Sequence, residues 1–526
     1  PVDAALVVGH RSCDALRDLE LGHARIVIAE PVSSGEFRIE QPGFFDPPSM
    51  ADLPEFCRVT GSASPVEGSN IGFETWLPAA GWNGKLLMLG NGGYSSSIPY
   101  VQMAKYLRRG YATAATDTGH AGDDPFFARG NPESIVDWGH RAIHVSRLHV
   151  QTVIVSFYGK TPRYSYFAGC STGGHQALMA AQRYPEDFDG IIAGAPGHNR
   201  THLNAGFLWQ FLRNHTRRGQ AIISADKLAM INAAVLAQCR ANNGSRSGGL
   251  SSDPYLDDPL TCAFDPQVLA CGAGREVDCL SPRQIEVLEA IYDGPRNPRT
   301  GDRIYYGQTP GSEAADGPPG LPGWSLYWAD PRRPDRPARL TFWQYWVFDD
   351  PEWNWWNFDF DADMSVVDER LAPVINAMDA DLSGFRRAGG KLLHYHGLND
   401  PVVPATDSIS YFERADAQAG GVGDFYRLFL APGLEHCHGG PGPDEFDLLT
   451  ALEDWVEQGE APERIIAAGH RSGSAPGAAE FTRPLCPYPK YAEYRGTGDS
   501  DRAENFVCTA VKKRPPVPEI GPTYLR

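Results

Sequence analysis

The chain is predicted to fold as an α/β protein, a mostly parallel sheet carrying one large inserted domain, and three observations lead there. Strand-length apolar runs alternate with helix-length segments from about residue 85 to about residue 198. The alternation then stops in a stretch rich in Gly, Pro, Asp and Trp and resumes near residue 379. Finally, one strand runs directly into a Gly-x-Ser-x-Gly turn that opens a helix. Strands joined through helices pair in parallel, and such sheets hold their ligand site at the strands' carboxyl ends. The expected division is a core in two parts, 1–198 and 379–526, with a lid domain at 199–378.

Taken in order, residues 24–32 and 71–78 are β-rich and bracket a Pro/Gly/Ser-rich stretch, as in an edge meander. Lys85 to Leu89 is a short buried-type strand ending in Gly90-Asn91-Gly92-Gly93, followed by a helical segment to Arg109. Tyr111 to Thr116 is the next strand, ending in Asp117-Thr118-Gly119-His120, and an amphipathic stretch runs from Trp138 to Tyr158. Tyr164 to Ala168 feeds the serine turn, His175 to Tyr184 is helical and stops at Pro185, and Gly190 to Pro196 supplies another strand. In the insertion, Leu228–Ala237 and Pro282–Tyr292 are the clearest helices. The core pattern returns at Gly389–Gly397 and Phe425–Gly433, and a helix at Glu445–Gln458 precedes a Pro-rich tail.

The 526 residues carry a net charge of −18 with no basic cluster. Nucleic acids and anionic membrane surfaces require concentrated Lys and Arg, so neither is an expected partner. No apolar run approaches the length of a membrane span. Pro1-Val2-Asp3-Ala4-Ala5 lacks the basic start of a signal peptide, so a mature form is expected. Ten cysteines without a Cys-x-x-Cys spacing point to disulfides in a secreted or periplasmic protein; the alternative is ten reduced thiols. Asn-x-Ser/Thr sequons occur at Asn199, Asn214 and Asn243.

The chemistry gathers at strand ends. A serine on a tight strand-to-helix turn is strained and exposed, and the small neighbours Gly169 and Gly173 allow the close packing that holds it there. Taken alone, the motif fits a Gly-rich turn with an incidental serine equally well. If Ser171 is a nucleophile, it needs a base and an acid in the order Ser, Asp, His. Asp400 follows the strand ending at Gly397, and His436 follows the strand ending near Gly433. Asp407 is a spare acid, and spacing does not separate His436 from His438. The oxyanion hole would take the N–H of Thr172 and one from Gly92 or Gly93, where a side-chain-free backbone can approach a reacting carbonyl. Cys170 precedes the serine and Cys437 follows the histidine. A bond between them would tie nucleophile to base covalently; two buried free thiols are the alternative.

Gly169-Cys170-Ser171-Thr172-Gly173-Gly174, His396-Gly397-Leu398-Asn399-Asp400-Pro401 and Pro432-Gly433-Leu434-Glu435-His436-Cys437 resemble the Cys-Ser, Asp, His-Cys pattern of the tannase and feruloyl esterase family, which includes the esterase of monohydroxyethyl terephthalate. The likeness extends to Gly90–Gly93, Asp117–His120, Asp137–Ala142 and Phe348–Asp363. It implies an α/β-hydrolase core with a large lid and assigns the base to His436. It also implies the pairs Cys13–Cys57, Cys239–Cys262, Cys271–Cys279, Cys486–Cys508 and Cys170–Cys437.

Many members of that family hold calcium in a lid loop of the form Asp-x-x-Asp-Gly-x-x-Asp-Gly. Here the three acidic positions are Arg240, Asn243 and Ser247, and a cation in place of a carboxylate should greatly weaken binding. No tight calcium is expected at this loop and no cofactor elsewhere; Asp253, Asp257 and Asp258 offer at most an alternative site. Eight of the twelve tryptophans fall in the lid. Trp343, Trp346, Trp353 and Trp355 are candidates to stack on a flat acyl group, the alternative being that they fill the lid's own core. The expected function is hydrolysis of small-molecule aromatic esters of feruloyl, gallate or phthalate type by a serine esterase. A peptidase or lipid esterase would use the same triad, and a non-catalytic binding protein could share the fold.

Overall fold

The computed structural model describes residues 11–39, 50–241, 250, 253–272, 277–315, 322–471, 479–510 and 516–525. The chain forms two compact units, Pro1–Ala193 with Ser383–Lys391, and Gly194–Leu382 with Leu392–Arg526.

The first unit contains β1 (Ala24–Val32), β2 (Phe56–Ala63), β3 (Ile71–Pro78), β4 (Lys85–Leu89), α1 (Tyr100–Leu107), β5 (Ala112–Thr116), α2 (Pro132–Val136), α3 (Ala142–Tyr158), β6 (Tyr164–Cys170), α4 (Thr172–Arg183) and most of β7 (Gly190–Gly194). The second holds α5 (Arg200–Asn214), α6 (Leu228–Ala241), α7 (Pro282–Asp293), the short pair β8 (Ala329–Asp330) and β9 (Arg333–Pro337), and α8 (Ala362–Ile375). After α9 (Ser383–Arg387) in the first unit come β10 (Lys391–Gly397), α10 (Ala405–Ala419), β11 (Tyr426–Ala431) and α11 (Leu448–Gln458).

Among the described residues the main sheet has nine strands in the order β1-β2-β3-β5-β4-β6-β7-β10-β11. β1, β2 and β3 are antiparallel, and β3 pairs antiparallel with β5. β4 pairs in parallel with both β5 and β6, and β10 pairs in parallel with β11. β4 and β5 are almost wholly buried, as expected of parallel strands covered on both faces. The chain leaves β4 for β5 on one side and returns to β6 on the other. The carboxyl ends of β4 and β6 therefore flank the point where strand order reverses, the place where such sheets open a crevice.

Several elements depart from the sequence reading. The Pro/Gly/Ser-rich stretch contains the whole of β2, which alternates small buried and polar residues; Gly61 lacks a side chain because the Phe73 ring occupies its place. The amphipathic stretch begins with a wider turn at Asp137–Arg141 before α3 proper. The Pro-rich tail holds two antiparallel pairs, β12 (Ile465–Gly469) with β13 (Phe481–Leu485) and β14 (Lys490–Tyr494) with β15 (Phe506–Ala510).

In the second unit, α6 and α7 share a core of Leu228, Ile231, Ile285, Leu288 and Ile291 with Trp324 and Trp328. α7 starts with Ser281 and Gln284 capping each other's backbone N–H and with Pro282 in its first turn, which satisfies orphan donors at the helix start. Four disulfides, Cys13–Cys57, Cys239–Cys262, Cys271–Cys279 and Cys486–Cys508, join the partners that the family resemblance implied. Cys170 and Cys437 are each disulfide-bonded as well, and no cysteine is free. Asn199 and Asn214 are fully buried, which closes two of the three sequons to glycosylation; Asn243 lies outside the described residues. Among the described residues, no helix is long and apolar enough to cross a membrane.

Candidate active site

In the first unit, β6 ends and α4 begins at Ser171, whose backbone has φ 61° and ψ −115°. A non-glycine residue with positive φ is strained, and the surrounding glycines show what holds it. A Cβ on Gly169 would lie 2.6 Å from the Gly173 backbone, and one on Gly90 would lie 2.6 Å from Gly173 Cα. Strand β6, helix α4 and the loop after β4 therefore meet backbone to backbone. The serine sits half-buried at the amino end of α4, where the helix dipole favours negative charge.

The loop after β4 is fastened to that helix. Thr172 Oγ1 donates to the Gly93 carbonyl at 2.7 Å, which brings the two expected oxyanion donors, Thr172 and the Gly92–Gly93 segment, to one place. Gly92 faces open space: nothing lies within 4 Å of where its Cβ would be. Asn91 N donates to Gln176 Oε1 at 3.0 Å, Gln176 Nε2 donates to Asn91 Oδ1 at 3.2 Å, and Asn91 Nδ2 donates to the Thr116 carbonyl at 2.9 Å. Both side chains are buried. The pairing of Asn91 with Gln176 escaped the sequence reading, although Gln176 is a polar residue directly before the apolar run 177–181 of the helix. Behind the loop, Tyr94 stacks on Trp138, which stacks on His175.

Asp117, at the end of β5, accepts the N–H groups of Gly72 and Gly119, both at 2.8 Å. Burial pushes its carboxyl up to about 6 against the pull of those donors, with the charge of Asp137 adding to the rise.

In the second unit, His436 Nδ1 donates to Asp400 Oδ2 at 2.7 Å. Asp400 is buried, and its Oδ1 accepts the N–H groups of Val402 and Val403 at 2.8 and 2.9 Å. Burial alone would raise this carboxyl, but His436 and His396 outweigh it and hold it below the usual carboxylate range. The spare acid, Asp407, lies on α10, where it accepts from Tyr305 and faces His198. Cys437, after the histidine, is another non-glycine residue with positive φ, at 71°.

Trp343 and Trp346 are fully buried against Phe342, and Trp343 also meets Trp353 and Phe358. Trp353 and Trp355 keep part of their surface exposed.

The residues from Asn242 to Gly249, which carry two of the three former calcium positions, lie outside the described residues. Arg240 Nη2 donates to the carbonyls of Asp253 and Tyr255, and Arg483 Nη2 donates to both carboxylate oxygens of Asp253, at 3.0 and 3.1 Å. Two guanidinium groups thus already bond oxygens of Asp253 and Tyr255. Among the described residues no group of three or more His, Cys, Asp or Glu is placed to hold a metal.

The sequence profile described as "Tannase and feruloyl esterase" matches residues 57–509. The chain belongs to the tannase and feruloyl esterase family. Like others of this family, it is a carboxylic ester hydrolase. Among its tannase-family relatives, it is 38% identical to an uncharacterized esterase of Xanthomonas campestris pv. campestris, covering 94% of this chain and 91% of that protein. It is 32% identical to the mono(2-hydroxyethyl) terephthalate hydrolase of Piscinibacter sakaiensis, over 95% and 92%. The crystal structure of feruloyl esterase B from Aspergillus oryzae superposes with a TM-score of 0.82 at 25% identity, covering 95% of this chain and all of that one. The α/β-hydrolase core expected of a tannase-family member is thereby borne out.

Proposed function

We propose that this tannase-family enzyme hydrolyses esters of aromatic acids through Ser171 as nucleophile, His436 as general base and Asp400 as the acid that orients the base. The observation that carries the reading is the 2.7 Å bond from His436 Nδ1 to Asp400, which leaves the other ring nitrogen as the proton acceptor a serine needs. The strained turn at Ser171 supports it from the other side. In this mechanism His436 takes the serine proton as Ser171 attacks the ester carbonyl. The oxyanion rests on the N–H of Thr172 and one from Gly92 or Gly93. The alcohol leaves with the proton from His436, and water repeats the sequence on the acyl-enzyme.

Cys170 and Cys437 pair with each other in this reading, since the other eight cysteines are already joined. The disulfides suit an oxidising compartment, which supports export. The names of two relatives, a terephthalate monoester hydrolase and feruloyl esterases, support a flat aromatic acyl group. The test is a hydrolysis panel of methyl ferulate, methyl gallate, chlorogenate and a terephthalate monoester, with Ser171→Ala as blank. Turnover in the purified Ser171→Ala protein would end the triad assignment, and a folded parent enzyme that leaves all four esters intact would end the aromatic one.

A further inference from the structure

β10 places His394 and His396 two residues apart, hence on one face of the sheet, and α10 lays Ser408 against them. His394, His396, Ser408 and Tyr426 are all wholly buried. They form one continuous chain. Tyr426 Oη lies 2.7 Å from His394 Nδ1, His394 Nε2 lies 2.8 Å from Ser408 Oγ, and Ser408 Oγ lies 2.6 Å from His396 Nδ1. His396 Nε2 ends the chain, 2.8 Å from the Val403 carbonyl and 3.2 Å from Asp400 Oδ2.

The Val403 carbonyl can only accept, so His396 Nε2 carries the proton, which it shares with Asp400. An imidazole with its single proton at Nε2 offers a lone pair at Nδ1, and there the Ser408 hydroxyl is the donor. The serine oxygen must in turn accept from His394 Nε2–H, and His394 Nδ1 must accept from the Tyr426 hydroxyl. One carbonyl thus sets two tautomers and two hydroxyl rotors. The other titratable and charged groups packed here include His198 and Asp407, 3.8 Å apart, with Tyr305 donating to Asp407, and Tyr411 and Arg414 beside His198.

We propose that His396 is a positioning residue for the hydrolysis, a second imidazole donor that fixes the Asp400 carboxylate toward His436, with the Tyr426–His394–Ser408 chain locking its tautomer. This rests on the triad reading above. A carboxylate shared among His436, His396, Val402 and Val403 is a weak base. It orients His436 without drawing off the proton, which stays available for the leaving alcohol.

The test measures kcat, KM and the pH profile of kcat/KM on a nitrophenyl ester for His396→Leu, His396→Gln and Ser408→Ala, in the full chain, with thermal melts. His396→Leu should lower kcat about ten- to a hundredfold with KM little changed. Its acid limb should move to higher pH, because more of the Asp400 charge then falls on His436. His396→Gln, whose amide N–H replaces Nε2–H, should recover most of the loss. Ser408→Ala removes a single oxygen and serves if His396→Leu does not fold; it should move the limb the same way. A folded His396→Leu with parental kcat and acid limb, a Gln variant no better than Leu, or an unmoved limb in Ser408→Ala would overturn the inference. Ser171→Ala and His436→Ala are measured alongside. If either still turns over, the triad reading has failed; if both are dead while the relay variants behave as the parent, only the relay has failed.

Discussion

Asn91 and Gln176 hold each other by two hydrogen bonds, backbone N–H to Oε1 at 3.0 Å and Nε2–H to Oδ1 at 3.2 Å. One belongs to the loop that follows β4, the other to the second turn of the helix that begins after Ser171. Replacing Gln176 by Leu should leave buried polar atoms of Asn91 without their partner, costing about 1–3 kcal/mol of stability. It should also loosen the Gly92–Gly93 segment, lowering kcat by about tenfold or more with little change in KM. Steady-state kinetics beside a urea melt measures both; parental kcat in the variant would detach the pair from catalysis.

Asp117 predicts a pH dependence of folding. Burial holds its carboxyl at about 6, above the unfolded value of about 4. A group raised in this way stabilises the fold while protonated. That contribution is complete below the unfolded value and is lost as pH rises through about 6. Asp117→Asn should therefore shrink the stability difference between about pH 4.5 and pH 8 by about 2 kcal/mol relative to the parent. Parallel denaturant melts at the two pH values read this directly, and an unchanged difference would show that another group carries it.

Replacing Cys170 and Cys437 together by Ala should lower activity strongly at temperatures where the fold survives, because the proposed nucleophile and base would be aligned by packing alone. If the two pair as proposed, closing so long a loop contributes about 5 kcal/mol, so a lower melting temperature should accompany the loss. A double variant as active as the parent would make the link dispensable.

Calcium should not move the melting temperature, and neither should a chelator. Arg240 and Arg483 already satisfy the oxygens around Asp253. A calcium-dependent rise in melting temperature would place ligands in the loop from Asn242 to Gly249.

The parts of this fold and site that are legible in the sequence share a cause. β4, β6, β10 and β11 are short, largely apolar runs with a Gly at or near their ends, and the residues proposed for catalysis come within a few residues of those ends, so strand ends mark them. α5 was not legible because it is buried on nearly every side, which removes the polar face that periodicity needs. β2 was missed because small residues take the place of large apolar ones. The contacts that fasten Asn91 to Gln176 and His396 to Ser408 join positions far apart in the chain. Each residue alone reads as an ordinary buried polar group.

The positive φ at Ser171 sets stability against reactivity at one residue. A glycine there would relieve strain that serine and alanine both bear, so Ser171→Gly should outlast Ser171→Ala in a thermal melt, by about 1 kcal/mol or more. Among inert variants of this enzyme, the more durable is then the one without any side chain at the proposed nucleophile. A screen that rewards thermal endurance alone would drift toward it, and such a screen must carry an ester in the selection to keep the serine.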